Sequence, residues 1–268
     1  MVPSLAESPA AAPTFAVVIP AYCNEATIGR AVESVLGQTF PATEIIVVDD
    51  GSDDRTAEIA GGYGGTVRVV RQSNGGTSAA RNRGIHEARS DIVCFLDADD
   101  EYTPGRLERI AAKLAATPEL DGVLTDALLL WPDREQRASS WWPPEASRDR
   151  LDLRAKVIFC ALAIRRRVLS EVGPFDPAFH RLEDVEYWHR LLCRGYWIGY
   201  VDDPSYVYRI NPDGKTQSAP LTRGEHELSR VYRRYALARR TPHGWRLRLA
   251  IRALRHERRA LRAVLVRR

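Results

Sequence analysis

The chain has 268 residues, 44% of them hydrophobic and 28% charged, enough to fill the core of one large domain or two small ones, which sets aside a disordered or fibrous polypeptide. Four cysteines, Cys23, Cys94, Cys160 and Cys193, show no CxxC or Cys/His spacing, which argues against a zinc site and a disulfide scaffold and points to a reducing cytoplasm. The net charge of +4 conceals an asymmetry: Arg230 to Arg268 holds 14 arginines and a single acid, Glu257, for +13, which leaves −9 on the rest.

Residues 1–13 have neither a basic nor an apolar segment and read as a disordered leader rather than a secretory signal. Nowhere do about 18 consecutive apolar residues suggest a transmembrane helix. The first half then alternates. Short β-rich runs at 15–20, 44–50, 66–72 and 91–97 are separated by helical patterns at 25–39, 54–62 and 78–89. Such alternation predicts an α/β fold with a mostly parallel sheet flanked by helices, and a ligand crevice at the carboxyl ends of the strands.

Those ends carry Pro20-Ala21-Tyr22, Asp49-Asp50-Gly51-Ser52 and Asp97-Ala98-Asp99-Asp100, all expected on one edge of the sheet. A helix at 104–117 and a strand at 122–130 follow, then a long polar loop at 131–150 that contains Trp141 and Trp142. Beyond it come a strand at 157–164, a helix at 165–173, a helix at 183–195 and a strand pair through 196–210. The expected organisation is one domain in two halves, 14–130 and 131–215, with a basic helical extension at 216–268.

Asp97 and Asp99, two apart on an extended segment, point the same way and could reach a hard divalent cation and the phosphate oxygens that it bridges. As bland turn and helix-capping acids they would need no ligand. Asp49 and Asp50 offer the same choice: acceptors for a base or ribose, or acids of an ordinary turn. In "SNGGTSAARNRGIHEA", Arg81 or Arg83 could neutralise a diphosphate or sit on a solvated helix face. His180, His189 and His226 show no metal-ligand spacing and read as structural or solvated.

Together, "VVIPAY", "IIVVDDGSDDRT", "GGTSAARNRGI", "CFLDADDEYTPGRLE" and "GPFDPAFHRLEDVEYWHRLLCRGY" stand in the order and near the spacing of a known family. From about residue 14 to 215 the chain resembles the family 2 glycosyltransferases, inverting enzymes with the GT-A fold. The resemblance implies that Pro20, Ala21, Tyr22, Asp49, Asp50, Arg81, Asp97 and Ala98 contact the sugar nucleotide, most often UDP-linked. It implies further that Asp99, with Asp97, binds Mg2+ or Mn2+, and that Asp184 of the Glu183-Asp184 pair is the catalytic base. The expected reaction moves a sugar to a hydroxyl of a polysaccharide, glycolipid or similar acceptor, as in cell-envelope polysaccharide synthesis. Two departures stand out. Cys23 occupies the position of the family's Asn, and Asn211 that of a histidine which joins the metal site in many relatives.

Residues 244–268 place Leu247, Ile251, Leu254, Leu261 and Leu265 three, four or seven apart beside many arginines. This pattern predicts an amphipathic helix, which would either dock on the body or lie on an anionic membrane surface; nucleic acid is the less expected partner. Two rival readings are a sugar-nucleotide-binding protein without turnover, and an interaction protein that works through its basic tail. Trp141 and Trp142 would either stack on an acceptor sugar or anchor their loop.

Overall fold

A computed structural model describes residues 12–138, 158–179, 181–210, 221–241 and 243–265. Trp141, Trp142, His180, Asn211 and residues 1–11 lie outside the described residues. The elements run β1 (Phe15–Ala21), α1 (Ile28–Leu36), β2 (Glu44–Asp49), α2 (Thr56–Gly61), β3 (Val67–Arg71), α3 (Thr77–Glu87), β4 (Ile92–Phe95), β5 (Glu101–Tyr102), α4 (Arg106–Ala116), β6 (Gly122–Leu130) and β7 (Glu135–Ala138). A 3₁₀ turn (Phe159–Ala161), β8 (Leu162–Arg165), α5 (Arg166–Val172), α6 (Glu183–Cys193), β9 (Ile198–Arg209), α7 (Leu221–Leu237) and α8 (His243–Leu265) complete it.

One sheet takes the order β3-β2-β1-β4-β8-β6-β9-β5, with β7 added on β6. The pairings β2–β3, β1–β2 and β1–β4 are parallel. β8 is antiparallel to both neighbours, and β6 and β9 pair parallel beyond it. β6 and β9 therefore run in the same sense as β1, and the sheet is mostly parallel. Phe15–Ile19, Ile45–Val48 and Ile92–Leu96 are buried throughout, the signature of strands covered on both faces. Helix α3 lies close against β1: a Cβ on Gly84 would sit 2.1 Å from Val18 Cγ1, so only glycine permits this approach.

Two elements differ from expectation. The run at 157–164 is strand only from Leu162; before it, Phe159, Cys160 and Ala161 form the 3₁₀ turn, whose side chains are buried. The strand pair expected at 196–210 is a single strand, β9, with its register on β6 shifted around Asp126. Asp202-Asp203-Pro204 reads as a turn, but here it makes an irregularity in one strand, where a bulge lets proline fit.

Helix α7 packs on α6, and α8 packs along α7. The docking face of α8 is Trp245, Leu249 and Ala253, all buried, whereas Leu247, Ile251 and Leu254 are exposed. The helix therefore docks, and Leu247, Ile251 and Leu254, three residues of the stripe picked out in the sequence, face away from the docked side. Among the described residues, no helix is long and apolar enough to cross a membrane.

Candidate active site

β1, β2 and β4 are neighbours running the same way, so their carboxyl ends bring Tyr22, Asp50 and Asp97 to one edge as expected. The chain leaves β1 through Pro20 and Ala21, in register with Val48 and Asp49. Tyr22 is exposed at the lip, and Cys23 is the one described non-glycine residue with a positive φ, 54°. The Cys23 amide donates to Ser52 Oγ at 2.9 Å, and the Asn24 carboxamide accepts the Tyr22 amide at 2.9 Å. Asn24 thus caps the turn from the next position along.

The two acids at the carboxyl end of β2, Asp49 and Asp50, are buried and engaged. Asp49 Oδ2 pairs with Arg71 Nε at 2.8 Å, and Oδ1 accepts the Ser52 amide at 3.2 Å. Asp50 Oδ1 accepts from Gly75 N at 2.9 Å and Gln72 Nε2 at 2.7 Å, and Oδ2 accepts from Gly76 N at 2.7 Å. Asp50 therefore clamps the Gly75-Gly76 turn that opens α3. A nucleotide contacting it would share a carboxylate that already has three donors.

Arg81 and Arg83 part company. Arg83 is exposed and pairs with Glu87 one turn on, whereas Arg81 is 4% exposed and sits at the centre of the site. Its Nη2 donates to Asp97 Oδ1 at 3.0 Å and to Cys160 Sγ at 3.4 Å, and its Nη1 to Glu183 Oε1 at 3.1 Å. Phe159 and Phe175 lie beneath the guanidinium, 6.0 and 5.6 Å from its carbon. Burial works against the charge, but the carboxylates of Asp97, Glu183 and Asp184 overcome it and hold Arg81 firmly protonated.

Asp184 stands in the first turn of α6, where free backbone N–H groups favour a carboxylate. Its Oδ1 accepts the Val185 amide at 2.7 Å, and Oδ2 has no hydrogen bond among the described residues. Burial raises its pKa and Asp97 adds to the rise, against the pull of Arg81 and the Val185 amide. Glu183 is raised too, by burial first and then by Asp184. Its Oε2 is a buried oxygen with no partner among the described residues. A raised carboxylate with an open oxygen is the type of group that takes a proton from a hydroxyl.

Asp99 is exposed beside Asp97, its pKa raised by partial burial and then by its neighbour's charge. Ala98 between them is buried, so only its main chain could meet a ligand. Asp100 turns inward: Tyr206 OH donates to its Oδ2 at 2.5 Å and Arg209 N to its Oδ1 at 2.8 Å. Burial, then Asp97 and Asp99, push its pKa up to about 8. Neutral water at pH 7 thus leaves Asp100 holding a proton, which relieves part of the local negative charge.

Asp97, Asp99, Glu183 and Asp184 stand near Arg81, with Arg30 beside Asp99, and such a gathering of acids fits a divalent cation. Among the described residues no three His, Cys, Asp or Glu form a ready metal cage. Two carboxylates suit Mg2+ or Mn2+ nonetheless, because Mg2+ commonly takes one or two protein carboxylates and completes its shell with phosphate oxygens and water.

Sequence reasoning missed Cys160, Tyr206 and Arg106. The Cys160 thiol lies 3.5 Å from Asp97 Oδ2, and burial and then Asp97 hold its pKa well up, so it stays a thiol. Buried Arg106 has neutral acceptors, Thr125 Oγ1 at 2.5 Å, Ser205 Oγ at 3.2 Å and Ala161 O at 2.8 Å. It ties the 3₁₀ turn to β6 and β9. Cys160 and Tyr206 stand in no recognisable local pattern, and Arg106, though inside the quoted CFLDADDEYTPGRLE run, was not singled out.

The family model described as glycosyl transferase family 2 matches residues 16–173. The glycosyltransferase EpsJ of Bacillus subtilis is 28% identical over 238 residues, which cover 82% of this chain and 68% of EpsJ. The glycosyltransferase alr2836 of Nostoc is 32% identical over 228 residues, 79% of this chain and 69% of that protein. RT0329 of Rickettsia typhi is 28% identical over 188 residues, and this chain spans 59% of its length. S. aureus TarS, residues 1–349 in complex with UDP-GlcNAc, superposes with a TM-score of 0.75 at 22% identity, covering 91% of this chain and 72% of that one. The last likeness establishes the fold as GT-A-like.

Proposed function

This chain belongs to glycosyl transferase family 2, and on that premise we propose that it is an inverting, metal-dependent hexosyltransferase which passes a sugar from a UDP-sugar to a hydroxyl of a polysaccharide or glycolipid. One observation carries the reading. Arg81 joins Asp97, at the end of a donor-side strand, to Glu183, next to Asp184 at the start of α6. A donor-holding acid and a proton-accepting acid are thereby built into one rigid unit.

Pro20, Ala21 and Tyr22 would line the nucleotide, with Tyr22 at the exposed lip and Asp49 and Asp50 shaping the shelf beside it. The Gly75-Gly76 turn held by Asp50 presents α3 and Arg81. Asp97 and Asp99 would hold Mg2+ or Mn2+, which supplies positive charge against the departing diphosphate when bound. Asp184 takes the proton of the attacking hydroxyl on its open Oδ2. The acceptor oxygen forms the new bond to the anomeric carbon as the bond to the diphosphate breaks, so an α-linked donor yields a β product. The UDP-GlcNAc carried by the TarS structure supports a UDP-linked donor.

Calorimetric titration of UDP, GDP, dTDP and CDP, with and without Mn2+, tests this reading on wild type and Asp99→Ala. The expected result is Mn2+-dependent binding of UDP that Asp99→Ala loses. Absence of binding to all four would overturn it.

A further inference from the structure

Helix α8 has two apolar lines, and the fold uses one. Trp245, Leu249 and Ala253 are buried against α7. On the opposite side, at 100° per residue, Leu247, Ile251 and Leu254 are 69%, 42% and 59% exposed. Arg258 continues that line, and Arg248 and Arg255 flank it, all three exposed. Glu257 is the single acid of α8, and it is turned to the seam, where it pairs with Arg233 of α7 at 3.0 Å. The outward face therefore presents aliphatic side chains and arginines with no acid among them.

From this face we infer that α8 seats the protein on an anionic lipid surface. Nucleic acid would answer the arginines and leave the aliphatic line wet. An apolar protein groove would answer the leucines and strip water from the arginines. A bilayer interface offers acyl chains beneath phosphates, which matches a helix lying in its plane with apolar residues down and arginines at headgroup level.

The hairpin is also anchored to the candidate base. Tyr235 of α7 donates to Glu186 of α6, two residues past Asp184, and Arg234 pairs with Asp176 at 2.6 Å. If the proposed transfer holds, seating α8 fixes the height of Asp184 above the lipid, as a lipid-borne acceptor requires.

Sedimentation of the full chain with vesicles, without nucleotide, tests the inference apart from the transferase reading. Wild type is expected to pellet with phosphatidylcholine vesicles that contain phosphatidylglycerol and to stay in the supernatant with pure phosphatidylcholine vesicles. The triple change Arg248→Gln, Arg255→Gln, Arg258→Gln should weaken binding about a hundredfold. Leu247→Glu, Ile251→Glu, Leu254→Glu should abolish it, with an unchanged thermal midpoint in both variants because all six residues are exposed. Failure of wild type to bind the anionic vesicles would overturn the inference. So would binding undiminished by the Leu247, Ile251 and Leu254 changes, or tighter binding to an RNA oligomer that ignores those changes.

Discussion

Two acidic regions lie at the same edge of the sheet and differ in how their charge is met. At the end of β2, Asp49 and Asp50 are saturated by Arg71, Ser52, Gln72, Gly75 and Gly76, all within the fold. Around β4 and α6, Asp97, Glu183 and Asp184 share Arg81, Glu183 Oε2 has no partner among the described residues, and the pKa values of Asp99, Asp100, Glu183 and Asp184 all rise. Carboxylates whose oxygens are met by N–H donors give shape. Those left with surplus negative charge are poised for a cation, a proton or both.

Substitutions should separate the two kinds. The largest effect is expected from Asp184→Asn, which keeps the shape and removes the proton acceptor: nucleoside diphosphate release in the presence of acceptor should fall by roughly a thousandfold, within the span of general-base effects, while the thermal midpoint holds. Retained turnover would remove Asp184 from the chemistry.

Asp50→Ala should act on stability instead. It strands two backbone amides and the Gln72 amide, and a loss of about 3 kcal/mol in urea unfolding is expected, given ~1.5–3 kcal/mol for a hydrogen bond to a charged group and partial rescue by water. Asp99→Ala should lose Mn2+-dependent nucleotide binding and unfold at the same midpoint or a higher one, because it removes a repelled charge. A large destabilisation by Asp99→Ala would collapse the distinction between the regions.

The smallest effect tests a spare polar atom outside the site. Buried His189 donates from Nδ1 to Val185 O at 2.7 Å and has no partner for Nε2. Burial pulls its pKa from 6.5 down to about 4. The unfolded chain therefore takes up a proton below pH 6.5 that the folded chain refuses until about pH 4. Its contribution is complete above pH 6.5 and is lost as pH falls through that window. Between pH 7.5 and 5 the wild type should lose about 2 kcal/mol more than His189→Phe, at ~1.4 kcal/mol per unit. Equal losses would show that the ring titrates normally.

The first half was legible because its signals are local. Apolar runs at Phe15, Ile45 and Ile92 mark buried parallel strands, and the acids and glycines after them mark the turns. The second half was less so. Asp202-Asp203-Pro204 carries every mark of a turn, yet β9 runs through it because pairing with β6 outweighs local preference. Asp97, Arg81 and the Glu183-Asp184 pair were singled out from the sequence, but the tie that Arg81 makes between Asp97 and Glu183 was not. Cys160, Tyr206 and Arg106 reach the site by packing alone, and in α8 the line that docks was hidden beside the more conspicuous one.

The Arg81 to Glu183 pair spans 102 positions of sequence, and this has a bearing on how the protein is made. On a ribosome the four parallel strands emerge and can pair while α6 is still unsynthesised. During that interval Arg81 has Asp97 but lacks its second carboxylate, and the aromatic floor from Phe159 and Phe175 does not yet exist. Contacts so distant in sequence form late. The nascent first half should therefore be a sheet without a finished pocket until α6 has arrived.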